Sequence, residues 1–416
     1  MKGTDEQKQA FLERCFYFSG AYDSKESVGR LADQLSKTEA ANRGPSANRI
    51  FYMAIPPSIF LEVAATIHSS AMTSSGFNRV VVEKPFGYDS ASSAELIKQM
   101  GHLFTEDQIY RIDHYLGKEL VLNVLVLRFA NLAFVPLWNR DHIANVTITF
   151  KEDIMLEGRA GYFDQFGIIR DVMQNHLMQI FALIAMEPPV RLSAEYVRDE
   201  KVKVLRACHP ISLDDVVVGQ FEGYLDDPDV PNDSVTPTYC SAVLHIHNQR
   251  WDGVPFILKC GKGLNERKTE VRIQFKSVPG CLFPNSQRNE LVLRVQPNEA
   301  IYMKMMTKVP GLNDLEDLTQ TEMDLTYRAR YDTKSLPDAY ERLILDVLRG
   351  DHTHFVRSDE LAAAWDIFTP MLHQLASAKI KPITYKVGAR APEAADELSK
   401  RYGFVHSEAY RWKSPY

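Results

Sequence analysis

Two short runs decide the reading of the fold: NRIFYMAI at residues 48–55 and FNRVVVEKPFG at residues 77–87. Each is apolar and β-branched, and each is followed by a helical stretch opening with Pro or with Asp and Ser. Strand, helix, strand, helix predicts a parallel sheet. Ligands of such sheets gather beyond the carboxyl ends of the strands, which here carry Pro56 and Pro57, then Glu83, Lys84 and Pro85. No GxGxxG-type phosphate loop precedes these runs, and the opening MKGTDEQKQAFLER reads as the middle of a helix. The expectation is a chain that begins inside a dinucleotide-binding domain.

From about Arg111 the pattern changes. A long helical stretch is predicted from Tyr162 to Met186, and alternating strands follow it. EVRIQFK places Val271, Ile273 and Phe275 on one face and Glu270, Arg272, Gln274 and Lys276 on the other, the pattern of a sheet with one solvated face. ELVLRVQPNEAIYMKMMTK repeats it around a Pro-Asn turn, with Arg294 and Gln296 on one strand and Tyr302 and Lys304 on the next. Two helices close the chain, DAYERLILDVLRG at residues 338–350 and SDELAAAWDIFTPMLHQL at residues 358–375, the second with a Ser-led cap. The fold class is α/β plus α+β: an incomplete Rossmann-type parallel-sheet domain over residues 1–112, then a large α+β domain with a mainly antiparallel sheet over residues 113–416.

A chain of 416 residues exceeds one ordinary core, and 45% hydrophobic with 25% charged residues is globular composition. The net charge of −6 gives no general attraction to nucleic acid or to an anionic membrane, so any anion site must be local. The five cysteines are widely spaced and never form CxxC, which argues against zinc and against a disulfide framework and suggests free thiols in the reducing cytoplasm. The apolar stretch from Leu120 to Trp138 is broken by Asn123, Arg128, Asn131 and Pro136, making it a buried helix rather than a membrane span.

RIDHYLGKE at residues 111–119 sets His114, Tyr115 and Lys118 within one helical turn, where they could hold a phosphate dianion or simply pack and be solvated. FGIIRDVMQNH at residues 166–176 offers Asp171, Gln174, Asn175 and His176 beside an apolar run. A histidine bordering so apolar a stretch is most often a core residue satisfied by one hydrogen bond, but a general base needs just such a semi-buried imidazole. Residues five apart on an α-helix point roughly 140° away from each other, so Asp171 is not the obvious carboxylate to orient His176, and Asp113 is the candidate. CGKGLNERKTEVR at residues 260–272 gathers Lys262, Arg267, Lys268 and Arg272, either a charged edge strand or a phosphate site.

Taken in order, EKPFG, RIDHYLGKE, GIIRDVMQNH, RWDGVPFILKCGK, LNERK, RVQPNEA and LPDAYERL resemble glucose-6-phosphate dehydrogenase along essentially the whole chain. The resemblance implies oxidation of glucose 6-phosphate to 6-phosphoglucono-δ-lactone with hydride transfer to NADP, the first step of the pentose phosphate pathway, in a cytoplasmic homodimer or homotetramer. It implies catalytic roles for His176 as base, Asp113 as its orienter and Lys84. Sugar and phosphate contacts are implied for Lys84, His114, Tyr115, Lys118, Glu152, Asp171, His176, Lys262 and Gln296. Coenzyme contacts are implied for Ala54, Pro56, Pro57, Glu83, Lys84 and Pro85, with no metal. A second NADP site is implied at Lys268, Arg272, Arg294, Tyr302, Lys304, Asp324, Arg390 and Trp412, with His406 where some members have a stacking aromatic. The competing expectations are a glucose 6-phosphate-binding fragment without turnover, and another sugar oxidoreductase sharing the EKP motif, which would lack the phosphate cluster.

Overall fold

The computed structural model describes residues 3–43, 47–283, 285–312, 314–331 and 336–405. The chain divides into two compact units, the first holding the chain up to Glu83 with Glu95–Tyr110, the second Lys84–Ala94 and the chain from Arg111 onward. Sequence places the division after residue 112, whereas packing places it after Tyr110 and draws Lys84–Ala94 into the larger unit.

In the first unit, α1 (Asp5–Leu12) carries a reciprocal cap between Thr4 and Gln7, and α2 (Lys25–Arg43) precedes the sheet. The strands β1 (Arg49–Met53) and β2 (Asn78–Val82) run parallel, in register from Arg49 with Asn78 to Met53 with Val82. They are joined through α3 (Phe60–Ser70), whose buried Phe60, Val63, Ala64 and Ile67 recur at helical spacing. The buried Arg49 guanidinium donates to both Glu39 oxygens at 2.9 and 2.8 Å and to the Ala71 carbonyl at 2.7 Å, tying α2 to the start of the sheet. Because β1 and β2 end in register, Ala54 and Glu83 leave the sheet side by side, and Tyr52 Oη donates to the Glu83 carboxylate.

The α4 helix (Ser90–Leu103) and β3 (Ile109–Ile112) lead toward the second unit, where α5 (Glu119–Phe129) follows. The strands of its sheet are β4 (Ile143–Lys151), β5 (Val216–Phe221), β6 (Tyr239–His245), β7 (Pro255–Gly261), β8 (Lys268–Phe275), β9 (Glu290–Gln296), β10 (Ala300–Lys308) and β11 (Leu318–Thr326). A short β12 (Phe355–Val356) pairs with the end of β3, and β13 (Ile383–Tyr385) completes the large sheet in the order β11-β10-β9-β8-β4-β7-β6-β5-β13. Only β4 with β7 and β5 with β13 are parallel, so the sheet is mainly antiparallel.

The long helix expected over residues 162–186 is three pieces: α6 (Ala160–Ile168), a π-helix over Ile169–Leu177, and α7 (Met178–Ala185). The break is at Gly167, whose φ of 67° no helical residue adopts. At the far end of α7, carbonyls left without helical partners are taken by buried side chains. Arg128 of α5 donates to Leu183 and Met186, Trp138 to Ile184 and Trp251 to Ala185. No helix among the described residues is long and apolar enough to cross a membrane, and all five cysteines are free.

The remaining helices are α8 (Ala194–Arg206), the single turn α9 (Tyr327–Arg330), α10 (Ala339–Arg349), α11 (Ser358–Ser377) and α12 (Glu393–Arg401). Asp338 caps α10 reciprocally with Glu341, and Gly350 ends it at a φ of 81°. Arg357, not Ser358, occupies the capping position of α11. The polar face of β8 is not solvated as its alternation suggested. Glu270 and Gln274 are buried because Gln274 donates to the Val405 carbonyl and Asn145 to that of Gly403, so the C-terminal segment crosses this face. Nor is β8 an edge strand, since β9 and β4 flank it.

Candidate active site

The site in the second unit grows from the turn after β3. Asp113 leaves the strand with extended backbone and caps the one-turn helix His114–Gly117, its Oδ1 accepting from the Tyr115 N–H at 2.9 Å. The same oxygen lies 2.7 Å from Nδ1 of His176, which the π-helix delivers from the opposite side. Both residues are buried, Asp113 at 3% and His176 at 3% exposure. Burial drives the Asp113 carboxyl upward, but the His176 charge and hydrogen bond, His114 and the Tyr115 N–H outweigh it and hold the pKa at about 2. Burial also lowers the His176 pKa, against the opposing pull of Asp113.

The π-helix matters to the geometry. Its i to i+5 hydrogen bonding stacks residues five apart, so Asp171 and His176 lie one turn apart and each acts on the other's charge. The opposed directions expected for an α-helix do not arise. Lys84 Nζ donates to the Asp171 carbonyl at 2.7 Å and to its Oδ1 at 3.0 Å, and this cation with burial sets the Asp171 carboxylate.

Around the turn, His114 meets the His176 ring edge-on at 4.6 Å and lies parallel to Tyr340 of α10 at 6.0 Å between ring centroids. Burial first, then the neighbouring His176 charge, takes the His114 pKa down to about 3, so this imidazole is neutral near pH 7. Lys118 remains as the cation of the turn, its pKa lowered by burial and opposed by Asp338 and Glu299. Tyr115 Oη lies 3.0 Å from Thr269 Oγ1 and accepts from Gln296 Nε2 at 3.0 Å. Lys262 Nζ reaches Glu152 Oε2 at 2.5 Å, because β4 and β7 are parallel with Lys151 opposite Gly261, so Glu152 and Lys262 leave the sheet together. The structure thus gathers Lys84, Asp113, His114, Tyr115, Asp171 and His176, and joins Gln296 to Tyr115 and Glu152 to Lys262.

Two neighbours went unassigned in the sequence. Thr269 is a buried strand residue with no motif to flag it, and Arg267, present in the basic cluster, acts on both Tyr115 and Lys118. In the first unit, Ala54, Pro56, Pro57 and Glu83 stand at the carboxyl ends of parallel β1 and β2, with Ala54 and Pro56 exposed. Ligands of parallel sheets bind beyond such strand ends.

A second cavity of about 660 Å³ in the larger unit is lined by seven cations, Lys151, Lys259, Lys268, Arg272, Arg294, Lys304 and Arg390, against four carboxylates, Glu266, Glu270, Glu290 and Asp396. Arg272 is held by Glu270 at 2.6 Å and Glu290 at 2.9 Å, Lys304 by Glu290 at 3.2 Å and Lys268 by Glu266 at 2.8 Å. Tyr302 and Asp324, expected at the same site, are register partners on β10 and β11 and are not part of the lining. Trp412 and His406 lie outside the described residues.

Comparison with known proteins identifies the family. Residues 1–123 match the "Glucose-6-phosphate dehydrogenase, NAD binding domain", and residues 125–413 the "Glucose-6-phosphate dehydrogenase, C-terminal domain". The chain is 56% identical to glucose-6-phosphate 1-dehydrogenase of Dictyostelium discoideum over 99% of its own length and 85% of that protein. It is 54% identical to the cytoplasmic glucose-6-phosphate 1-dehydrogenase 6 of Arabidopsis thaliana, covering 97% of this chain and 80% of that one. A solved glucose-6-phosphate dehydrogenase in complex with its substrate glucose-6-phosphate superposes with a TM-score of 0.92 at 46% identity, over 97% of this chain and 85% of that chain. These matches displace the expectation of another sugar oxidoreductase. The chain has the fold of an oxidoreductase with a nicotinamide dinucleotide-binding domain, and it belongs to the glucose-6-phosphate dehydrogenase family.

Proposed function

We propose that the chain oxidises glucose 6-phosphate at its anomeric carbon to 6-phosphoglucono-δ-lactone, with NADP as the acceptor. The observation that carries the reading is the buried pair of His176 Nδ1 and Asp113 Oδ1 at 2.7 Å, together with the Lys84–Asp171 ion pair and the cation Lys118 at the end of the turn that Asp113 caps. With Nδ1–H donated to an ionised Asp113, the His176 tautomer leaves the Nε2 lone pair as proton acceptor, and burial keeps the ring neutral and able to act. His176 removes the anomeric hydroxyl proton as the carbon loses hydride. The nicotinamide, when bound, supplies the hydride acceptor. Lys118, with Arg267 beside it and the neutral His114 as donor, receives the phosphate, while Asp171, Glu152, Lys84, Lys262 and Gln296 hold the sugar. His176→Asn is expected to lower turnover by about two or more orders of magnitude with little change in substrate affinity. Near-normal turnover in steady-state assays would remove His176 from this role.

The excess of cations around the 660 Å³ cavity supports a second NADP there, since a dinucleotide with an added 2′-phosphate brings the anionic charge that the four carboxylates leave uncompensated.

A further inference from the structure

Asp113, the partner of His176, also lines a cavity of about 20 Å³. Val356, Leu361 and Trp365 contribute apolar lining to it, and Gln174 and Gln179 join Asp113 as buried polar lining. These three polar residues are at 3%, 5% and 4% exposure. One atom of each, Asp113 Oδ2, Gln174 Nε2 and Gln179 Oε1, has no hydrogen-bond partner among the described residues. Other polar groups nearby are committed elsewhere. Lys84 holds Asp171, Arg170 donates to the Tyr88 and Phe166 carbonyls, Asn175 bonds the Arg170 carbonyl and the His176 N–H, and Trp365 donates to the Phe86 carbonyl.

Three buried polar atoms without partners each carry an uncompensated desolvation cost, and all three residues line one small space. The space exceeds the roughly 10–15 Å³ that one water requires. Two of the atoms are acceptors and one is a donor, which matches the two donated and one accepted bonds of a single water. We propose that this cavity binds one water, donating to Asp113 Oδ2 and Gln179 Oε1 and accepting from Gln174 Nε2, and that Gln174 and Gln179 are thereby positioning residues for the Asp113–His176 pair. Gln174 stands in the π-helix and Gln179 at the start of α7, and both line the cavity.

The water fixes the carboxylate plane of Asp113, so that Oδ1 stays on His176, and its dipole offsets part of the carboxylate charge felt by the imidazole. Removing it leaves that charge fuller, which favours the imidazolium. The other charged groups facing His176 are Lys84, Asp171 and His114, and they are untouched by substitution at the glutamines.

The inference rests on His176 acting as the base, and its test separates the two. High-resolution diffraction from the unaltered enzyme is expected to show one ordered water within about 3.2 Å of all three atoms. Gln179→Met and Gln174→Met keep the volume but remove the acceptor and the donor. Each is expected to lower kcat about tenfold and leave KM for glucose 6-phosphate within about twofold, while the acid limb of the kcat–pH profile moves up by a few tenths to about one unit. The double variant should be no worse than the poorer single variant by more than about twofold, because both act through one water. A dry cavity, or an acid limb unmoved in both variants, overturns the proposal. Retained turnover in His176→Asn would sink the base assignment instead, with the water still decided by diffraction.

Discussion

At the scale of single residues, the chemistry depends on which groups are charged before substrate arrives. Asp113 is ionised despite burial, and His176 is neutral because of it, so the sign of the pH response follows. A base must be unprotonated, so kcat/KM should rise with pH through the His176 pKa and level above it, with a midpoint below the ordinary histidine value of about 6.5. Asp113→Asn removes the carboxylate that opposes burial. The midpoint should then fall further while turnover drops by about two to four orders of magnitude. A pH–rate profile whose midpoint rises in that variant would contradict the account. Because the His114 pKa sits near 3, the proposed phosphate site draws its charge from Lys118 rather than from the imidazole beside it. Lys118→Ala is expected to weaken glucose 6-phosphate binding by about 2–4 kcal/mol and leave glucose binding nearly unchanged, as measured by calorimetry with both sugars. The identity of these side chains is plain in RIDHYLGKE. The neutrality of His114 is not, because it arises from burial and from a histidine distant in sequence.

At the scale of elements, the π-helix is the device that assembles the site. Its wider turn brings Asp171 level with His176, where α-helical spacing would turn the pair apart. The surrounding run is apolar on nearly every side, so its periodicity carries no trace of the wider turn, and sequence reads one continuous helix. Gly167 begins the departure. Its φ of 67° suits glycine, and an added Cβ would stand 3.1 Å from Thr236 Cγ2. Gly167→Ala should therefore cost about 1–3 kcal/mol of stability, read as a lower urea midpoint, and should impair turnover through the tilt of the π-helix. An unchanged midpoint would mean that the segment absorbs the methyl elsewhere.

At the scale of the whole molecule, the large sheet supplies a cationic chamber outside the candidate active site. Arg390 is half-exposed at this chamber, and it pairs with Asp396 rather than with the buried carboxylates. Arg390→Ala should therefore leave the fold intact while weakening NADP there. NADP at a hundred times its Kd stabilises a protein by about 2.7 kcal/mol, a shift of several degrees in Tm. Most of that shift should vanish in the variant, whereas glucose 6-phosphate binding should persist. Thermal unfolding with each ligand decides it, and an undiminished NADP shift would place the nucleotide elsewhere. The sequence by itself determined the parallel β1–α3–β2 unit, the antiparallel alternation of β8 to β10, the helices α10 and α11, and the residue types from which the candidate site is drawn. These depend on local periodicity, turn chemistry and caps, all of which are written in neighbouring residues. Only the tertiary structure decided that the polar face of β8 is covered by residues 403–405 and that Glu152 emerges beside Lys262. Each of those facts joins segments far apart in the chain through burial and hydrogen bonding, and no local pattern encodes which distant group will complete a buried polar atom.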